Sequence, residues 1–238
     1  IDTTVGTETV DVTGSNLDAF TEVSFDADVT AASVKLDQGP LDDIDEWGFG
    51  LADGETLEFE LGAASLDLSA VDFDDTFGDT TSLVTVTGGE ANETVTEANG
   101  DDEDVAMPFT YNLGKGDDKF IGTDKEYATG TITINGEDGD DTITLAEVDT
   151  GAYDVSGGAG DDTITGDLGD DAIDGDGGDD ALSGGAGDDV INGGNDDDTI
   201  TGGAGDDTLA GDAGDDILTA GAGTDVLDGG ADDDDMTA

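Results

Sequence analysis

Cysteine, histidine and arginine are all absent from the 238 residues, and proline occurs only twice. Without Cys or His there is no zinc site of the usual kind, no Ser-His-Asp triad, no cysteine nucleophile and no disulfide. The cationic inventory is four lysines, so no basic surface gains counterion-release energy from nucleic acid phosphates or anionic lipid. No apolar run approaches 18 residues, which excludes a membrane-spanning helix. Aromatic residues make up 5% of the chain and the net charge is −60, a combination that opposes compaction unless the charge is neutralised. What the chain has in abundance is Asp and Glu, 64 together, and Gly, 40. Carboxylate and carbonyl oxygens without nitrogen or sulfur donors favour calcium or magnesium over transition metals. The chain opens at Ile1 with no basic or apolar leader and reads as a processed or excised piece. The lack of Cys fits export without disulfides.

From Gly157 the sequence falls into consecutive nine-residue units, beginning GGAGDDTIT, GDLGDDAID, GDGGDDALS and GGAGDDVIN, and ending GGADDDDMT. Two more units start upstream at Leu113 and Gly136, and a degenerate one, GGEANETVT, starts at Gly88. The eighth position is always apolar: Phe120, Ile143, Ile164, Ile173, Leu182, Ile191, Ile200, Leu209, Leu218, Leu227 and Met236. A period of nine fits neither a helix nor an isolated strand. It predicts a six-residue turn, with Gly at positions one, two and four allowing positive φ, followed by a three-residue strand with one inward apolar side chain. Two units then make one 18-residue coil of a solenoid. One inward aliphatic chain per nine ordered residues falls short of the backbone entropy cost, so metal binding is expected to be coupled to folding.

These units resemble the glycine- and aspartate-rich nonapeptides of the RTX (repeats-in-toxin) family, G-G-x-G-x-D-x-U-x, which form a calcium-bound parallel β-roll. The resemblance covers about residues 113–238 and is degenerate from 88. It implies calcium held between stacked turns by turn carbonyls and the sixth-position aspartates: Asp118, Asp141, Asp162, Asp171, Asp180, Asp189, Asp198, Asp207, Asp216, Asp225 and Asp234. Secondary oxygens are implied at the fifth position, from Asp117, Asp140, Asp161, Asp170, Asp179, Asp188, Asp197, Asp206, Asp215 and Asp233. Candidate turn carbonyls are those of Gly157, Ala159, Gly184, Ala186, Gly202 and Ala204. Unit starts at 113, 136 and 157 are 23 and 21 residues apart, so these early coils are expected to carry one repeat turn and one longer ordinary turn. Gaps between stacked turns give about six sites on one edge and three on the other, about nine calcium ions in all. Asp196 and Asp232 replace the fourth glycine, Thr224 the fifth aspartate and Ala220 the first glycine; the turn from Gly193 is expected to be the weakest regular site.

Residues 1–87 lack the repeat but alternate as half-buried strands around Val10–Val12, Phe20–Phe25, Val34–Leu36, Leu57–Leu61, Leu66–Phe73 and Leu83–Val86. Turns are expected at 39–40, 52–54 and 78–79. The alternation predicts a small antiparallel β-sandwich or a β-cap on the roll. The fold class is therefore all-β, with an N-terminal β-rich region at 1–87, irregular coils at 88–156 and a regular β-roll at 157–238. Trp47 reads as a core or cap anchor rather than a sugar platform. The sequon Asn92-Glu93-Thr94 reads as part of the degenerate turn, and Asp101–Asp104 as a solvated loop.

No P-loop, G-x-S-x-G or EF-hand loop is present, and paired carboxylates carry no information in so acidic a chain. No small-molecule substrate is indicated, and the outward Thr/Asn columns that the resemblance associates with ice binding are missing. The expectation is a non-enzymatic, extracellular or cell-surface calcium-binding protein, exported by the type I route that the resemblance implies: a surface-layer, filament or adhesin subunit that self-associates. The alternative is a calcium-triggered folding module of a larger secreted enzyme or toxin. An open strand edge at the last unit and an uncharged outward column, Thr163, Thr165, Ala181, Ser183, Thr199, Thr201, Ile217 and Thr219, favour the assembling form.

Overall fold

The computed structural model describes residues 83–97, 109–122, 131–145 and 151–238, together with the backbone course of six earlier strands: Glu8–Asp11, Val23–Ser24, Ala31–Leu36, Trp47–Gly48, Thr56–Leu61 and Leu66–Asp67. Every described element is a strand and every pairing is parallel. The chain winds between two sheets, one of eleven strands and one of nine, with a separate two-stranded pairing of Val23–Ser24 with Trp47–Gly48. Successive strands of either sheet lie one coil apart, about 4.8 Å. This is a parallel β-solenoid, as the nine-residue period predicts.

Two inward columns make its core. In the eleven-stranded sheet Val86, Tyr111, Ile134, Val155, Ile173, Ile191, Leu209 and Leu227 stand in one register. In the other sheet Val95, Phe120, Ile143, Ile164, Leu182, Ile200, Leu218 and Met236 do the same. All but the last coil's Leu227 and Met236 are at most 2% exposed. Large rings are confined to the wide early coils, where Tyr111 meets Phe120 edge-on at 4.9 Å between centroids. In the 18-residue coils the two columns are Ile and Leu up to the terminal Met236.

The strands are longer than the period suggests. Ala181–Ala186, Thr199–Ala204 and Ile217–Ala222 each span six residues, taking in the first three positions of the next unit. The turn proper is thus positions four to six. The glycine roles divide accordingly: second-position Gly194 and fourth-position Gly205 have φ of 115° and 144°, but first-position glycines do not adopt positive φ. Their reason for being glycine lies in the site described below.

The strands at 8–87 correct the antiparallel expectation. Glu8 pairs with Ala32, Ala31 with Thr56, Thr56 with Leu83 and Val84 with Phe109, all parallel, so these strands extend the eleven-stranded sheet. Val10, Val34 and Phe59 fall in register with Val86. Alternation reports only that one face is buried, and a solenoid buries one face of a parallel sheet as a sandwich does of an antiparallel one. These coils take 24 to 27 residues with no fixed crossover length, which hides the repeat. The side chain of Trp47, the acidic stretch 101–104 and the turns at 39–40, 52–54 and 78–79 lie outside the described residues.

Candidate metal centre

Each regular coil has two turns, one at each edge where the chain passes between sheets. At the sixth position the aspartate side chain folds inward, and its Oδ1 accepts the backbone N–H of the sixth residue one coil earlier. On the first edge Asp118 donates to Asp141, Asp141 to Asp162 and Asp162 to Asp180, each at 2.7 Å. Asp180 donates to Asp198 at 2.8 Å, Asp198 to Asp216 at 2.9 Å and Asp216 to Asp234 at 3.1 Å. On the second edge Tyr153 donates to Asp171, Asp171 to Asp189, Asp189 to Asp207 and Asp207 to Asp225, at 2.9–3.0 Å. All eleven sixth-position residues thus form two stacked rows, of seven and four.

One oxygen of each carboxylate is therefore engaged; the other is not. Oδ2 of Asp118, Asp141, Asp162, Asp180, Asp189, Asp198, Asp207 and Asp216 is buried without a hydrogen-bond partner. Asp171 differs, its Oδ2 accepting the Asp167 N–H at 3.4 Å. These side chains are 1–2% exposed. Burial pushes the Asp162, Asp171 and Asp180 carboxyls up to about 7, and those of Asp141, Asp189 and Asp198 up to about 6. The backbone N–H bond works against that rise, and the aspartates stacked above and below add to it. Asp118, Asp207 and Asp216 shift the same way for the same main cause. A buried row of like charges without cations is costly, and each member lacks a partner of opposite sign.

First-position glycines leave space for these oxygens. A Cβ at Gly157, Gly175, Gly184, Gly193, Gly202, Gly211 or Gly229 would overlap Oδ2 of the aspartate in its own turn. The carbonyl oxygen of the following coil's first residue borders the same space: Gly175 for Gly157 at 3.0 Å, Gly211 for Gly193 at 2.9 Å, Ala220 for Gly202 at 2.7 Å. A carboxylate oxygen and a carbonyl oxygen from adjacent coils thus converge over a residue without a side chain. Unpartnered buried hard oxygens around a glycine cradle fit a calcium-class ion. No group of three acidic side chains converges on one point among the described residues; an ion held here would draw on one or two carboxylates together with main-chain carbonyls.

The fifth-position aspartates lie elsewhere. Asp117, Asp140, Asp161, Asp170, Asp179, Asp188, Asp197, Asp206, Asp215 and Asp233 are exposed on the outer rim. There they form an outer row with the opposite sense: Asp179 N–H donates back to Asp161 Oδ1 at 3.0 Å, and Asp188 to Asp170 at 2.8 Å. Among the candidate carbonyls, Gly157 O borders the space over Gly136 and Gly184 O that over Gly166. Those of Ala159 and Ala204 accept the Gly139 and Gly187 N–H, both at 2.8 Å. At Gly193 the row continues through Asp198 despite Asp196, which takes the left-handed conformation of the glycine it replaces, φ 75°.

The sequence pattern overlooked Glu93. It occupies the sixth position of the degenerate unit from Gly88, and its N–H donates to Asp118 Oδ1 at 2.6 Å as an aspartate's would. It is 2% exposed. Register with the Leu113 unit was the available signal, hidden by the glycosylation-like triplet around it.

A family model for the RTX calcium-binding nonapeptide repeat matches four times, at residues 133–147, 154–182, 174–209 and 201–236. No curated protein matches the chain. The matched segments take in the sixth-position aspartates from Asp141 to Asp234, and the coils they trace are those of the parallel solenoid. Residues 133–236 therefore carry the RTX calcium-binding nonapeptide repeat, wound here as a parallel β-roll.

Proposed function

We propose that the chain is a secreted structural protein of the cell exterior whose roll folds on extracellular calcium and then assembles side by side. RTX repeats bind calcium, and in this roll the sixth-position carboxylates with the first-position carbonyls would hold it. When bound, the ions neutralise the buried rows and bridge adjacent coils. The residues' own contribution is to orient one oxygen of each carboxylate by a backbone N–H and to keep the other dry. At low calcium the rows repel and the chain stays open, which suits export; at the millimolar calcium of extracellular modules the roll closes.

One observation carries the assembling role. From Thr142 to Thr219 the outward face of the nine-stranded sheet carries no charge, in a chain of net charge −60, with Lys119 and Asp235 in register at its two ends. Thr142, Thr163, Ala181, Thr199 and Ile217 form one outward column, and Thr144, Thr165, Ser183, Thr201 and Thr219 the next. A flat, neutral, Thr-rich stretch supports lateral packing against a second copy, where the carboxylate-lined edges of the roll repel one.

Sedimentation velocity across a calcium titration tests this, with Thr199→Glu beside the natural sequence. Compaction followed by large, chelator-reversible species, with Thr199→Glu compacting but remaining monomeric, is the expected result. Compaction without association would leave a folding module of a larger secreted protein. Absence of any calcium response would remove the calcium-triggered reading altogether.

A further inference from the structure

We infer that Glu93 and Asp118 form a divalent-cation site of their own at the head of the first carboxylate row, ahead of the recognised repeats. The inference rests on the calcium reading of that row and extends it to a coil that lies outside the family match, which begins at residue 133.

The geometry of this rung differs from the others in a way that points to a ligand. In the aspartate rungs one oxygen accepts an N–H and one is left over. At Glu93 both Oε1 and Oε2 are buried without a hydrogen-bond partner, and Asp118 Oδ2 is a third such oxygen. Both residues are 2% exposed. Their carboxyls face each other, and the backbone amides of Gly89 and Ala91 lie close to that of Glu93. The nearby lysine that makes an ion pair, Lys115, spends it on exposed Asp138 at 3.3 Å. Among the described residues, two buried carboxyls thus meet without a lysine partner.

That donor set has the chemistry of a hard divalent ion. The extra methylene of glutamate allows both of its oxygens to reach one ion, the bidentate mode by which carboxylates close other calcium loops. Glu93 offers two free oxygens where most of the following aspartates offer one. The turn it occupies joins the strand Leu83–Thr87 of one sheet to Thr94–Thr96 of the other. An ion at this point pins the first described wide coil to the roll.

Titration calorimetry with calcium chloride on the chelator-stripped full chain, comparing the natural sequence with Glu93→Gln, decides the matter. The expected result is one ion fewer per chain in Glu93→Gln, with the remaining affinities unchanged and the far-ultraviolet circular dichroism at saturating calcium intact. An unchanged ion count and unchanged affinities would overturn the site and leave the two carboxyls as a proton-sharing pair. If Glu93→Gln does not reach the natural dichroism, Glu93→Asp decides instead. It keeps the charge but shortens the reach, so one ion should bind about tenfold more weakly; an unaltered isotherm would overturn the site. Failure of the natural chain to take up calcium is a separate outcome, and it would bring down the calcium reading of the whole row.

Discussion

Alanine at Gly193 tests the link between the glycine cradle and the carboxylate rows. The backbone there does not adopt positive φ, so conformation alone tolerates a side chain. The added methyl carbon, however, would overlap Asp198 Oδ2 and come 2.9 Å from both Asp198 Cγ and the Gly211 carbonyl oxygen, where ordinary contact begins at 3.4 Å. The carbonyl is held by the sheet, so the carboxylate has to swing away. Doing so breaks the Asp180 N–H bond to Asp198 Oδ1, strands a buried amide and takes one oxygen from the spaces above and below. Overpacking and an unsatisfied buried group each cost about 1–3 kcal/mol. For a roll of about 100 residues, each kcal/mol lowers Tm by about 4–8 °C. Gly177→Ala is the control, since its methyl would meet Asn195 Nδ2 at 3.7 Å and the Gly158 carbonyl at 3.9 Å, ordinary contacts. Thermal unfolding at saturating calcium should therefore show Gly193→Ala lower by about 8 °C or more and Gly177→Ala unchanged or slightly higher. A Gly193→Ala roll as stable as Gly177→Ala would refute the claim that the first glycine exists to admit the carboxylate.

The same geometry makes further claims. The buried aspartates have folded pKa values raised to about 6–7, so the folded metal-free roll holds protons that the unfolded chain has released. Its stability is then fully present below about pH 4 and lost as pH rises through 6 to 7. Chelator-treated protein should gain β-sheet dichroism on acidification from pH 7.5 to 5, while calcium affinity falls over the same interval. Asp180→Asn should raise stability in chelator at pH 7.5 and lower it in calcium, whereas Asp179→Asn, on the exposed rim, should stay within about 0.5 kcal/mol of the natural chain in both. Glu137 is an exposed residue with φ of 79° in a column whose neighbours, Gly114 and Gly158, are glycines. Glu137→Gly relieves a left-handed conformation that costs about 1–2 kcal/mol against a glycine entropy cost of about 0.5–1 kcal/mol. Stability in a denaturant titration should therefore rise by up to about 1 kcal/mol, and a fall would show that its carboxylate is engaged.

Much of this architecture was legible because a fixed period ties residue type to place. Ile164, Leu182 and Ile200 recur at the eighth position and stack in one column; Asp162, Asp180 and Asp198 recur at the sixth and stack in one row. The period could not reveal that first-position Gly193 lies in a strand and is glycine for contact rather than for φ, because composition does not distinguish the two uses. Nor could it place Val10 and Val34, whose coils have no constant length. Glu93 was hidden for a third reason: one methylene removed it from the aspartate pattern while its backbone kept the row's register.

The first edge of the roll carries two carboxylates per coil over its regular length, one buried and one on the rim, as Asp180 and Asp179 illustrate. At a rise of about 4.8 Å per coil, that is, with both rows ionised, a line of charge with one unit every 2.4 Å or so. Duplex DNA, at one charge per about 1.7 Å, condenses a sheath of counterions that must leave when a ligand binds. The edge of this roll belongs to the same physical class, a rigid polyanion with protein behind it. Sodium or potassium condensed along the rim is displaced as calcium loads the interior, so the free energy of loading falls with the logarithm of background salt. Calcium loading measured at rising background salt should therefore weaken, so that the roll would follow the ratio of divalent to monovalent ions rather than calcium alone.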